Sequence, residues 1–498
     1  MPTTPPLSRP PHARGGERLL TRIALLSWIA LAPAAELRSA EPLDLGGRLE
    51  LFADDFLLER LDGTRLQLHE PRPAEVVLRF DRPWEGPHCG YVTVIQDEDR
   101  FRMYYRGLPE SGKDGSPSES TCYAESTDGI AWTRPDLGLF EVRGTRANNV
   151  VLGGKPPFSH NFSPFLDKRP GVPHAERLKA VAGTTESGLH LFASGDGIHW
   201  SRLQEGPVLR EGAFDSQNVA FWSESEGLYA LYLRTWSEGE FRGFRTVSRS
   251  TSPDLVHWSK PAPMGFGNTP MEHLYTSQTQ PYFRAPHLYL AFPMRFVPGR
   301  KALTEAQAES LGVRPGYASD CAETVFMTSR GGTNYSRLFL EGFIRPGMEL
   351  GNWASRAGFT ALGVIPTGPG EISLYKLDHY AQPSIHLTRH RLRTDGFVSI
   401  RAPFAGGTAV TRPLRFSGRE LVVNFATGAA GGVRIALEDA AGKELPGFSK
   451  EECVELIGDE VERVVAWKGN PDLSALGGRP VRVRFWMKDA DLFSLRFR

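Results

Sequence analysis

The chain has 498 residues, too many for one ordinary hydrophobic core, so roughly two or three domains are expected. Lys and Arg together number 58, and so do Asp and Glu, so the formal net charge is zero. That balance excludes the strong basic field that recognition of nucleic acid or of an anionic membrane surface requires.

In chain order, the first feature is a targeting segment. Arg14, Arg18 and Arg22 precede the apolar run I-A-L-L-S-W-I-A-L-A from Ile23 to Ala32, and Ala32-Pro33-Ala34 forms an A-x-A cleavage site. The run is too short to span a bilayer, so residues 1–34 read as a signal peptide. The mature chain is then secreted or periplasmic, with no membrane contact after cleavage. The next apolar segment, Leu49–Leu58, has no sheet of its own nearby. It is expected to pair with the last repeat unit and close a ring, because an unpaired edge strand is a liability.

A short phrase then recurs. It reads S-T-D-G-I-A-W from Ser126, S-G-D-G-I-H-W from Ser194, S-P-D-L-V-H-W from Ser252 and, in a worn copy, S-R-G-G-T-N-Y from Ser329. Asp-Gly makes a tight turn, because Asp tolerates the left-handed region and Gly supplies positive φ. Each copy closes a unit of short strands. Unit one holds Tyr91–Gln96 and Phe101–Gly107. Unit two holds Asn161–Leu166, Arg177–Ala182 and Leu189–Ser194. Unit three holds Asn218–Trp222, Leu228–Arg234 and Thr246–Ser250. Unit four holds Thr276–Phe283, Leu288–Pro293 and Thr324–Ser329. A unit of this length repeated around a ring is the pattern of a β-propeller blade. A fifth unit without the phrase follows at Phe359–Ile365, Glu371–Leu377 and His386–Leu392. The one helical stretch, Thr304–Leu311, has Thr304 as its cap and reads as an insertion in unit four.

Beyond Pro403 the pattern changes to alternating strands with Gly-rich turns, which reads as a β-sandwich. The fold class is therefore all-β. A five-bladed β-propeller over residues 42–402 is followed by a β-sandwich over 403–498. Cys89, Cys122, Cys321 and Cys453 show no metal-ligand spacing, and Cys89 with Cys122 reads equally as a disulfide or as two buried thiols. No cofactor or metal is implied.

The signal peptide, five units and trailing sandwich resemble the five-bladed β-propeller glycoside hydrolases of families 32 and 43. The segments L-F-A-D-D-F-L-L-E, C-G-Y-V-T-V-I-Q-D, L-Y-K-L-D-H-Y-A-Q-P and K-D-A-D-L-F-S-L-R-F look like a group of secreted bacterial proteins described as family-32-like. The resemblance implies the fold and a carbohydrate substrate. The chain departs from the family-32 catalytic motifs. Where those enzymes carry W-M-N-D-P-N-G, this chain reads W-E-G-P-H-C-G-Y from Trp84, with His88 and no Asp. Their R-D-P motif has no copy, and the nearest strand offers Asn161. Their E-C motif is matched only by Asp320-Cys321 late in a unit.

In a propeller, ligands sit at the axis, where the innermost strands begin. The residues there are Trp84, Glu85, His88 and Tyr91 in unit one, and His160 and Asn161 in unit two. Unit three supplies Asp215, Gln217 and Asn218. Unit four supplies Glu272, His273, Gln278 and Gln280, and unit five Asn352, Trp353 and Arg356. Amides, carboxylates and aromatics in this mixture suit sugar hydroxyls and ring faces. Glycosidic cleavage usually needs two carboxyl groups roughly 5–10 Å apart. Asp215 and Glu371 are the expected catalytic pair, with Glu272 and Asp320 as fallbacks and Asp54 and Asp55 as residues of ring closure. His88, Asn161, Gln217, Asn218, Gln280, Asn352 and Arg356 are the expected substrate-binding groups. Three functions fit: a secreted glycoside hydrolase, a carbohydrate-binding propeller without catalysis, and a protein-interaction propeller.

Overall fold

The recurring phrase is a turn closed by its own side chains. In its first copy Ser126 Oγ accepts from Gly129 N at 2.9 Å, and Asp128 Oδ1 accepts from Ile130 N and Ala131 N at 2.7 and 2.8 Å. The indole of Trp132 donates to Gly129 O at 3.1 Å. The same bonds recur at Ser194, Asp196 and Trp200. Gly129 and Gly197 stand at φ of +72° and +77°, a backbone region where a Cβ is strained. Each turn is also tied to a neighbouring sheet. Tyr375 OH donates to Gly129 O at 2.5 Å, and Tyr104 OH donates to Gly197 O at 2.8 Å.

The computed structural model describes residues 41–498 apart from residue 240, so the expected signal peptide lies outside the described residues. The chain is all-β. Sheet one comprises Gly90–Asp97, Arg100–Gly107, Ser120–Ser126 and Val150–Gly153. Sheet two comprises Ser163–Leu166, Leu178–Thr184, Gly188–Ser194 and Ser201–Arg202. Sheet three comprises Val219–Ser223, Leu228–Trp236, Arg245–Ser252 and Ala262–Pro263. The fourth region is split into two three-stranded sheets. One holds Gln280–Tyr282, Ala285–Ala291 and Met327–Ser329; the other holds His273–Leu274, Met294–Pro298 and Asp320–Thr324. The chain breaks both long strands of this region in the same place, where Val325 N donates to Pro293 O at 3.0 Å. Between them lies the helix Glu305–Ser310, capped by a reciprocal pair of bonds between Thr304 and Gln307.

Sheet five holds Ile365–Gly368, Glu371–Asp378 and His386–Arg393, and its outermost strand is Arg72–Arg79. This corrects the expectation that Leu49–Leu58 closes the ring. Leu49–Leu51 pairs instead with Ser494–Arg496, and Leu58–Asp62 pairs with Thr408–Thr411. The physical reason is the pattern of the two segments. Phe52 and Leu57 are apolar groups with no polar face to offer an outer edge, and they pack with Ile400, Phe485 and Leu492. Arg72–Arg79 suits an outer edge: Leu78 is buried beside Leu387, while Glu75 accepts from Arg389 Nε at 3.0 Å.

The first strands of the sheets are neighbours in chain order. Ser163–Leu166 lies against Gly90–Asp97 and Val219–Ser223, and the latter lies against Gln280–Tyr282. Val94 N donates to Leu362 O and Leu362 N to Val92 O, joining sheet five to sheet one. Strands such as Leu178–Thr184 and Gly188–Ser194 are buried along their whole length, because both faces are covered.

The C-terminal sheet is built on two long antiparallel strands, Leu421–Glu438 and Arg482–Phe497. It also takes in Val398–Ala402 and Arg65–Leu68, which pair with each other. The sheet therefore starts before the expected boundary at residue 403 and recruits residues from near the start of the described chain. All four cysteines are buried free thiols. Among the described residues, no helix is long and apolar enough to cross a membrane.

Candidate active site at the starts of the innermost strands

The loops leading into the first strands carry unusual backbone. Tyr91, Gln278 and Arg356 stand at φ of +51°, +49° and +58°, and in the loop after the second strand of sheet five His379 and Ala381 stand at +56° and +61° on either side of Tyr380. Side chains other than glycine adopt this region at a cost, and such residues collect at functional sites. At Tyr91 the register also shifts between Gly90 and Thr93, a bulge that turns the ring toward the neighbouring sheets.

These loops and two second strands bring one cluster together. Its centre is the buried ring of Tyr275. The guanidinium of Arg234 lies 4.8 Å from the ring centroid, that of Arg245 5.4 Å and that of Arg356 5.5 Å. Burial pushes the Tyr275 phenol up, but Arg356 and Arg234 outweigh it against opposition from Asp215, so the phenol is held below its ordinary value. Arg234 also forms an ion pair with the carboxylate of Asp215, whose side chain is 25% exposed. The backbone carbonyl of Asp215 accepts from Tyr91 OH at 3.2 Å and faces His160 Nε2 at 3.4 Å. The other ring nitrogen of His160 meets Glu119 Oε1 at 2.9 Å.

A second guanidinium group closes the other flank. Arg106 lies 4.6 Å over the Tyr91 ring and donates to His88 O at 3.0 Å and Tyr380 OH at 3.3 Å. The His88 ring sits 5.3 Å from Tyr317 and 5.8 Å from Tyr380. Burial, then Arg106, Arg314 and Arg356, lower its pKa to about 4, so the imidazole is neutral at pH 7. Several buried polar atoms of this cluster have no partner: His88 Nδ1, Asp215 Oδ1, Arg356 Nε, and Nε and Nη1 of Arg234. Buried polar atoms are normally satisfied, so this concentration at one place marks where a ligand's groups belong.

Of the residues expected from sequence, the cluster assembles Asp215, His88, Arg356, Tyr91 and His160. Others are corrected. Glu371 opens the second strand of sheet five, and its carboxylate is bound by Arg389 Nη1 at 2.7 Å and Thr367 Oγ1 at 3.1 Å. Its neighbours belong to its own sheet, so it is not brought to Asp215. Asn161 uses both ends of its amide, donating to Phe214 O and Ser216 O and accepting from Gly183 N at 3.0 Å. Gln217 donates to Thr93 Oγ1 at 2.9 Å and accepts from Gln278 Nε2 at 2.8 Å, while Gln278 also donates to Thr360 O at 2.7 Å. That relay ties four sheets together, uses both ends of the Gln217 amide and leaves only Gln278 Oε1 unpartnered. Asn218 donates to Ser216 O at 3.0 Å and keeps only Oδ1 unpartnered. Asn352 accepts from His379 N at 3.2 Å in a separate loop. Gln280 accepts from Val364 N at 3.2 Å and lines a cavity of about 430 Å³ along the later residues of the same strands. That cavity is lined by Phe165, Trp222, Tyr282 and Phe283 and holds none of the arginines.

The remaining candidates are structural. Trp84 donates to Asn149 Oδ1 at 2.8 Å, and Glu85 is held by Tyr105 OH at 2.6 Å and by Arg134. Glu272 pairs with Arg295 and Arg337, and Asp54 accepts from Thr328 Oγ1 at 2.9 Å. Sequence reasoning missed Tyr275, Arg106, Arg234, Arg245, Tyr317 and Tyr380. The available signal was an arginine closing an otherwise apolar strand, as in F-R-M-Y-Y-R-G and L-Y-A-L-Y-L-R. Among the described residues, no group of three or more His, Cys, Asp or Glu side chains is arranged to hold a metal ion.

No protein-family profile and no curated protein matches the sequence. Among solved structures the chain is similar to the Bombyx mori GH32 β-fructofuranosidase, at 11% identity and a TM-score of 0.40 over 85% of this chain and 94% of that one. It is similar to a fructofuranosidase from Schwanniomyces occidentalis, at 9% identity and a TM-score of 0.38 over 86% and 97%. It is also similar to an N-acetylgalactosamine deacetylase from F. plautii, at 12% identity and a TM-score of 0.41 over 66% and 96%. Likeness of this degree does not extend to residues or reaction.

Proposed function

We propose that this chain is an exported glycoside hydrolase, a five-bladed β-propeller with a trailing β-sandwich, whose substrate binds at the starts of the innermost strands. The observation that carries the reading is the contact of Tyr275 with Arg234 and Arg356, beside Asp215. A carbohydrate-binding surface needs aromatic faces and hydroxyl partners. It has no need of a buried phenol made more acidic by two cations, which is equipment for moving protons.

In this reading the usual pair of carboxyl groups is replaced by one carboxylate and one phenol. Tyr275 gives its proton to the glycosidic oxygen as the bond to the sugar carbon breaks, and a lowered pKa makes it a better donor. Asp215 takes a proton from the attacking water, and that proton is later exchanged back to Tyr275 through solvent. Arg234 positions both groups. His88 and Arg356 hold substrate hydroxyls, and Tyr91, Tyr317 and Tyr380 supply ring faces.

One observation favours the binding module. Asp215 is paired with Arg234, and a second carboxylate, Glu119, is engaged by His160, which also has Asp114 at 3.8 Å. Product analysis and calorimetric titration on the same set of oligosaccharides separate the two readings. Release of reducing ends by the wild type supports the hydrolase; binding of a glycan with no product from any member supports the module.

A further inference from the structure

The site contains more guanidinium groups than carboxylates; Arg106 and Arg234 are buried, and Arg245 and Arg356 are half-buried with their Nε atoms covered. Arg106, Arg234, Arg245 and Arg356 all contact the rings of Tyr91 or Tyr275. Among the described residues only Arg234 has an ion pair, with Asp215; Arg106, Arg245 and Arg356 have no carboxylate within ion-pair distance. The Nε of each of the four is buried without a partner. Two further carboxylates nearby lie against His160 instead, Glu119 at 2.9 Å and Asp114 at 3.8 Å. Other buried arginines of this protein are neutralised. Arg102 and Arg177 share Asp97, and Arg389 lies between Glu75 and Glu371.

Burying a cation without a counter-charge is costly, and natural proteins avoid it unless something else supplies the charge. Here the missing partner is an oxyanion, and planar guanidinium groups match carboxylate and sulfate geometry in two-point contacts. The half-buried ring of Tyr317 beside them, backed by the buried rings of Tyr91 and Tyr275, suits the face of a sugar. We propose that the site takes an acidic sugar, whose carboxylate or sulfate group lies against Arg245 and Arg356 while the glycosidic bond lies near Asp215 and Tyr275. The substrate is then a uronate-containing or sulfated glycan rather than a neutral one. The second half of this statement rests on the hydrolase reading; the anion site does not.

The test is calorimetric titration of the whole protein. The probes are sodium sulfate against sodium chloride at matched ionic strength, then uronate-bearing oligosaccharides, sulfated oligosaccharides and their neutral counterparts. Sulfate is expected to bind where chloride does not. One of the two acidic sets is expected to bind at least ~10-fold tighter than its neutral counterpart, the scale of a charge-assisted hydrogen bond, and which set does so identifies the anion. Arg245→Gln, on sheet three, and Arg356→Gln, in the loop entering sheet five, each checked for fold by circular dichroism, are expected to remove that advantage, weakening acidic binding well beyond any effect on neutral binding. Equal binding of acidic and neutral glycans, no binding by any anionic probe, or equal weakening of both by the arginine variants overturns the inference. Cleavage of a neutral glycan that ignores both arginines would overturn it while leaving the hydrolase intact. Anion binding without cleavage of any glycan would remove the hydrolase and leave the anion site.

Discussion

Arg234 holds the carboxylate of Asp215 and lies 4.8 Å from the ring centroid of Tyr275. One cation thus organises both groups that the proposed reaction uses. It also links two sheets, since Arg234 belongs to the second strand of sheet three and Tyr275 to the segment of the fourth region between His273–Leu274 and Gln280–Tyr282.

Tyr275→Phe keeps the ring among its arginines and removes only the hydroxyl. Turnover is expected to fall about 10²–10⁴-fold, with KM little changed, as for loss of a general acid. The pH dependence carries a second test. An acid must be protonated to act, so kcat/KM of the wild type is expected to fall on the alkaline side. Because the phenol lies below its ordinary value, that fall begins below pH 10. The alkaline limb is expected to be missing from the residual activity of the variant.

Glu371→Gln distinguishes the corrected site from the sequence-based expectation. The carboxylate is 28% exposed and bound by Arg389 within sheet five. Its neutralisation is expected to leave kcat unchanged and to cost at most about 1 kcal/mol of stability, the scale of a partly exposed ion pair. Denaturant unfolding alongside a rate assay checks both halves. A loss of turnover with the fold intact would return Glu371 to the site.

Leu78→Ala tests the outermost strand of sheet five. Leu78 is buried opposite Leu387 and packs in the same core as Leu377. The truncation is expected to cost about 2–5 kcal/mol, the usual range for a buried leucine, and to lower Tm accordingly. A silent substitution would contradict the pairing of Arg72–Arg79 with His386–Arg393.

Acid stability has a named contributor. Burial pushes the Glu50 carboxyl up, but bonding from His287 and the charges of Arg330, His287 and Arg48 outweigh it and hold its pKa at about 2 rather than 4.5. A carboxyl depressed in the folded state stabilises the protein above its unfolded pKa. That stabilisation, about 3 kcal/mol, is lost as pH falls from 4.5 toward 2. The neutral His88 acts in the same sense, with stability lost as pH falls from 6.5 toward its folded value of about 4. Unfolding measured against pH should therefore be flatter in Glu50→Gln between pH 4.5 and 2 than in the wild type.

The parts of the fold that were legible in the sequence are those encoded locally. The D-G-x-x-W turns could be read because Ser126, Asp128 and Trp132 satisfy one another within seven residues, and the helix cap at Thr304 is equally local. Ring closure was not legible, because Leu49–Leu58 and Arg72–Arg79 are both plausible strands and only their distant partners distinguish them. That Asp215 and His88 stand near the starts of first strands was legible from the strand pattern. Tyr275 and the arginines were hidden because their role arises only where several sheets meet. A lone arginine at the end of an apolar strand reads as a solvated terminus until the neighbouring loop folds over it. Glu371 misled because a carboxylate after a Gly/Pro turn looks aimed, while its actual direction is set by Arg389 on the adjacent strand, 18 residues on in sequence.

The measurement that tests the central claim most directly is reducing-end release from an acidic and neutral oligosaccharide set by the wild type and by Asp215→Asn, with binding measured in parallel. Asn is near-isosteric and leaves the buried packing in place. The account predicts product from the wild type, and from Asp215→Asn a loss of about 10²–10⁴-fold or more in turnover with glycan still bound. Full turnover in Asp215→Asn, or catalysis that survives it together with Tyr275→Phe, would contradict the placing of the active site at the starts of the innermost strands.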